Sequence, residues 1–112
     1  MKLAFTMAGS PKSTTKVTSA NAKAGLANAI KYLDGTVTGK KAIAVLITFE
    51  VAAIRVAYGS TNPTTSLGHS MLPGDVLRLE NWKAINTFQH ISQNSGVHGD
   101  MMITPEFGGA GH

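Results

Sequence analysis

The sequence predicts a mainly β domain: a small antiparallel β-sandwich or jelly-roll-like barrel with one N-terminal amphipathic helix. Three observations lead there. Between Ala42 and Phe107, apolar side chains recur at alternate positions in short runs. Turn formers interrupt those runs at Gly59–Ser66, Pro73-Gly74-Asp75 and Ser92–Gly96, at the spacing of antiparallel folds. Helical spacing shows once, between Ala20 and Leu33. With 112 residues, 43% of them hydrophobic and 14% charged, the chain suits one domain able to bury a core and excludes a disordered polyelectrolyte. Residues 1–112 therefore read as one β-rich domain: a basic strand, arm and helix over 1–41, a β-core over 42–107 and a flexible Gly-rich tail over 108–112.

Each element follows from local pattern. Leu3, Phe5 and Met7 alternate with Lys2, Ala4 and Thr6, as in an amphipathic strand. Ser10-Pro11-Lys12-Ser13-Thr14-Thr15 reads as an extended polar arm, with Pro fixing φ and removing a donor. Ser19 is placed to cap a helix in which Ala22, Leu26, Ala29, Ile30 and Leu33 share one face. Gly25 lies inside it as a weak helix former, and Asp34-Gly35 ends it. Ile43, Val45, Ile47 and Phe49 on one side, with Ala42, Ala44, Leu46 and Thr48 on the other, make a strand apolar on both faces, hence central.

A bend at Glu50 leads into a strand with Ile54, Val56 and Tyr58 on one face. Leu67–Leu72 and Val76–Leu79 are short strands on either side of the Pro-Gly-Asp turn. Glu80-Asn81 turns the chain, and Ile85–Ile91 reads as a further strand. Met101, Ile103 and Phe107 face one way in the last strand, where Pro105 implies an edge or a bulge.

Function classes narrow by exclusion. Cysteine is absent, which removes disulfides, thiolate metal sites and thiol nucleophiles. The apolar run around Ala42–Ile47 is far shorter than the ~20 residues a membrane helix needs. The N-terminal run Met1–Met7 is too short for a secretory signal before Gly9-Ser10-Pro11 breaks it. The net charge of +4 is uneven. Seven lysines against Asp34 give residues 1–41 a charge of +6, while residues 42–112 carry −2. Such a skew suits contact with an acidic surface or solubility on a sparsely charged domain.

Chemistry-bearing constellations are thin. His90, His98 and Asp100 flank one turn and are the nearest approach to a metal set, yet they lack ligand spacing. Ser70 adjoins His69, but adjacent strand residues point to opposite faces, so that His does not serve that Ser as a base. Glu50 with Glu106 and Asp75 with Glu80 are carboxylates without a catalytic spacing, and turn chemistry accounts for Asp75. No Gly-rich phosphate cradle or Gly-x-Ser-x-Gly turn occurs. The expectation is a non-enzyme with no catalytic residues, no cofactor and no metal. A small basic β-barrel that binds nucleic acid is the alternative from another class. Against it, the aromatics sit in core-like patterns, and Trp82 alone reads as an exposed platform.

Three stretches resemble small structural proteins from the virion-assembly modules of tailed bacteriophages. They are Ser19–Leu26 running into Tyr32-Leu33-Asp34-Gly35, then Ile54–Gly59 followed by a Pro/Thr loop and Leu67-Gly68-His69, and finally Gly74–Asn81 with Ile85–Ile91 and Ile103–Phe107. The resemblance implies a capsid decoration (cement) protein, located in the virion, that contacts the major capsid protein or other virion proteins and is itself homo-oligomeric. A minor tail or neck component would share the architecture. The segments expected to make contact are the arm with Lys12 and Lys16, the loop with Asn62 and Pro63, and the Trp82-Lys83 turn.

Overall fold

Alternating apolar runs can bury only one face each unless a second layer covers them, and the chain solves this with two sheets. The computed structural model describes residues 9–108. In chain order the elements are β1 (Ser10–Pro11), β2 (Thr15–Thr18), β3 (Ala24–Gly25), α1 (Asn28–Lys31), β4 (Ala44–Glu50), β5 (Ile54–Ala57), β6 (His69–Met71), β7 (Val76–Leu79), α2 (Trp82–Thr87), β8 (Gln89–Ser92) and β9 (Asp100–Phe107). All strand pairings are antiparallel. The larger sheet runs β1-β9-β4-β7 with β2 also on β9, and the smaller runs β3-β8-β5-β6.

The two sheets share one core. From the larger sheet come Val45, Ile47, Phe49, Met101, Ile103 and Leu79, and from the smaller Ile54 and Val56. Ile85 and Phe88, in and just after α2, close one end. Most of these side chains are fully buried, and each contributes roughly 1.5–3 kcal/mol through removal of apolar surface from water. As its doubly apolar pattern required, β4 is central, paired with β9 from Ala44↔Glu106 to Glu50↔Asp100 and with β7 from Val45↔Leu79 to Thr48↔Val76.

Several expectations need correction. The helix expected over 20–33 is a single turn, Asn28–Lys31, whose flanking Ala27 makes no side-chain cap bond. Ser19 is no cap: it is buried and bonded to Ser92 and Gly99 across the fold. Gly25 lies in a strand against Gln89, where a Cβ would stand 3.3 Å from the Phe88 carbonyl. The Ile85–Ile91 strand is in fact α2 followed by β8. Asn81, read as a turn residue, caps α2 by accepting from the Ala84 amide at 2.8 Å. The expected strand over residues 2–7 and the end of the tail beyond Gly108 lie outside the described residues.

Pro105 sits at the bulge it implied: between the Pro11↔Glu106 and Thr15↔Ile103 pairs, residues 12–14 face only Thr104 and Pro105. β9 is an interior strand, and the Pro105 carbonyl accepts from the Lys12 amide at 2.9 Å, at the break between β1 and β2. The N–H that proline lacks would have faced the Lys12 carbonyl, so the one ladder bond it forfeits falls at this break in pairing.

Candidate interaction surface

Strand direction sorts the charges. Antiparallel register sets Glu50 beside Asp100, and the Phe49 amide donates to the Asp75 carbonyl, so three carboxylate residues gather where β4 ends and β7 and β9 begin. Lys16 reaches the Asp100 carboxylate at 4.0 Å. At the other end of the same strands stand Lys12, Lys31, Lys40, Lys41 and Lys83, around α1, α2 and the start of β4. There Lys12 donates to the Ala29 carbonyl at 2.9 Å, Lys31 to Asn86 Oδ1 at 3.2 Å and Lys40 to the Gly108 carbonyl at 2.9 Å. Asp34 and Glu80 lie at this end too. Hydrogen bonds from the Thr36 hydroxyl and amide, with Lys12 nearby, hold the Asp34 carboxyl below its ordinary pKa.

Trp82 is not the open platform its position implied. It is half-buried, its ring centroid lies 5.3 Å from that of Tyr32, and Lys41 Nζ sits 5.1 Å from its centroid. The pair and its cation form a compact aromatic–basic corner. Lys83 projects from the first turn of α2 and is exposed. Tyr58, expected in the core, is exposed and stacks on His69 at 5.9 Å, beside a depression of about 280 Å³ with Leu67 and Gly68 in its wall.

The remaining expected contact residues divide. The Ser10–Lys16 segment is not a loose arm, because β1 and β2 within it pair with β9. In the Gly59–Ser66 loop Asn62 is exposed, whereas Pro63 is buried and packs near Gly68. Lys12, Trp82 and Lys83 fall at the basic end, while Lys16 stands by Asp100. The expected contact residues therefore do not form one patch.

Exposed large apolar side chains mark both ends. Leu33, Val37 and Ile43 lie at the basic end. Val51, Leu72, Val76 and Val97 lie at the acidic end, where Phe49, Val51, Pro73 and Val76 line a groove of about 360 Å³. Val51 is 71% exposed with φ +78°, and the Ala52 amide bonds back to the Glu50 carbonyl across it at 2.9 Å. That is a left-handed γ-turn, a strained conformation for a β-branched residue.

Two buried polar clusters stabilise the body. Glu106, fully buried on the face of β9 that points away from the core, receives two hydrogen bonds from the Arg78 guanidinium at 2.6 and 2.9 Å. This bidentate bond raises the Arg78 pKa above its usual value. Between the two sheets the buried Gly99 amide donates to Ser19 Oγ at 2.9 Å. Ser19 and Ser92 hydroxyls meet at 2.7 Å, and Ser92 meets His98 Nδ1 at 2.7 Å. Ser92 is 1% exposed, so this Ser–His contact joins segments of the chain and presents no accessible nucleophile.

The other histidines and carboxylates do not converge as a metal or acid–base set. His90 faces the core beside Phe88, and burial lowers its pKa to about 4. Among the described residues no group of three or more His, Asp or Glu is placed to hold a metal ion. Ser70 donates to Gln93 Oε1, and Asp75 accepts from the Leu72 amide at 2.8 Å as a turn residue.

Sequence reasoning missed the apolar ends because single exposed Val and Leu residues carry no pattern of their own. The segregation of charge was visible as a skew along the chain; strand direction was needed to turn it into two ends. Comparison with family models, with curated proteins and with solved structures finds no match.

Proposed function

We propose that this chain is a non-enzymatic structural protein of a virion, a capsid decoration protein that reinforces a phage head through protein–protein contacts. The observation that supports this reading is the gathering of exposed apolar side chains at both ends of a small β body, each set beside charge. The architecture is read as a sandwich rather than a closed barrel. Its two sheets leave β1, β2 and β3 at one pair of edges and β6 and β7 at the other, and such edges accept neighbouring strands. Binding in an array would also stabilise a small domain by mass action.

A tail or neck location fits the same surface. The five lysines at the basic end favour nucleic acid as the second reading, since phosphate contacts need little more than clustered cations. Stacking on bases has less support, because Tyr32 and Lys41 already occupy the Trp82 ring.

The test is recovery of the tagged chain from cells in which virions assemble. Co-sedimentation with heads, with added density on their surface in electron micrographs, is the expected result. Recovery on tails or necks relocates the protein, and salt-labile recovery with nucleic acid alone replaces the reading.

A further inference from the structure

Resting on the structural reading above, we propose that copies of this chain associate end to end, the acidic apolar end of one seating on the basic aromatic end of the next. The partner is a second copy because the two ends complement each other. Glu50, Val51 and Val76 line a groove with Phe49 and Pro73 in its wall, and Asp75 adjoins Val76 in the chain. The opposite end offers Lys41, Lys83 and the half-buried Trp82, with Leu33 and Val37 exposed at the same end. Glu50 and Lys83 are both exposed, so each is accessible to a neighbour.

Val51 supplies an independent reason. Glycine or asparagine would hold its left-handed γ-turn with less strain, and a valine exposed to 71% gains nothing from the fold that surrounds it. A strained, solvent-facing apolar residue at the rim of a groove is explained by contact outside the chain. Because unlike surfaces meet, the contact is heterologous, and repetition gives a ring or an open row rather than a two-fold dimer.

The experiment is analytical ultracentrifugation of the purified full chain across protein and salt concentration. Association weakening at least tenfold as salt rises is expected, and Glu50→Lys or Lys83→Glu alone should abolish it. An equimolar mixture of the two variants has opposite charges at both of its junctions, one native and one reversed, so it should recover alternating assemblies longer than the dimer. The double variant Glu50→Lys/Lys83→Glu should recover longer assemblies. Val51→Asn should weaken association while leaving the melting temperature unchanged or higher, which separates loss of contact from loss of fold.

A chain that stays monomeric at millimolar concentration, or one whose association ignores both reversals, overturns the proposal. The two readings fail separately. A solution monomer that still co-sediments with heads removes only the end-to-end contact. A chain that assembles end to end but never joins a head supports the contact and removes the virion reading.

Discussion

The two sheets meet the same core but differ in how completely their polar groups are satisfied. The larger is built on β4 and β9, paired along their length, and its buried charge is held by two short bonds between Arg78 and Glu106. The smaller has strands of four residues or fewer and turns His90 and Ser92 toward the core beside Val56 and Ile54. Among the described residues, the buried polar side-chain atoms without a hydrogen bond, Arg55 Nε, Gln89 Oε1 and His90 Nδ1, all belong to this sheet. The larger sheet is thus the rigid framework, and the smaller carries the polar groups left without partners. Opening free energies should differ accordingly.

The largest expected effect tests the framework. Arg78→Leu leaves the Glu106 carboxylate, fully buried, without its bidentate partner. The expected loss is about 3 kcal/mol in urea unfolding, since breaking a buried ion pair costs far more than breaking a surface one. Arg78→Lys should fall between, because an ammonium does not reproduce the fork. A loss below about 1 kcal/mol would show that the pair behaves as a surface one and would erase the contrast between the sheets.

The next effect belongs to the smaller sheet and depends on pH. Burial holds the folded-state pKa of His90 near 4, below its ordinary value of 6.5. The unfolded chain therefore binds the proton more readily, so stability is complete above about pH 6.5 and declines as pH falls toward 4. The decline reaches at most about 3 kcal/mol from this residue. His90→Leu should flatten that part of the profile, measured as urea midpoint against pH. Arg78→Leu, in the other sheet, should act in the opposite direction, because a buried Glu106 carboxyl that has lost its guanidinium favours the protonated form, so the loss it causes should shrink as pH falls.

The same contrast explains what could be read in advance. β4 was legible because two apolar faces leave a strand only a central place, and the Pro-Gly-Asp turn fixed the link from β6 to β7. The helix expected over 20–33 failed because its spacing of Ala, Leu and Ile was real but its start was not. Ser19 is drawn into the fold by Ser92 and Gly99, so nothing caps the segment, and Ala24-Gly25 pairs with β8 instead. That is tertiary bonding overriding a weak local preference. α2 carried a signal that the strand reading passed over, an Asn cap followed by Trp82, Ile85 and Phe88 three residues apart. The contact surface was only half legible. Charge was visible along the chain, whereas apolar exposure is set by which residues the fold declines to cover.

The smallest effect asks how the serine relay supports the weaker sheet. Ser19 Oγ accepts the buried Gly99 amide, and a Cβ on Gly99 would stand only 2.3 Å from the Ala52 carbonyl, so that backbone is tightly fixed. Ser19→Ala orphans this amide and should cost about 1–2 kcal/mol, the usual penalty for a buried donor left unmade. Ser92→Ala also removes two contacts, but exposed His98 can turn to water and the Gly99 amide keeps its acceptor. Its cost should be nearer 0.5–1 kcal/mol. Hydrogen exchange should quicken at Gly99 in Ser19→Ala and around Gln93–His98 in Ser92→Ala, with β4 and β9 unchanged in both. Were Ser92→Ala the more damaging, the imidazole rather than the amide would be the anchor of the relay, and β8 would be held by its loop instead of by Ser19.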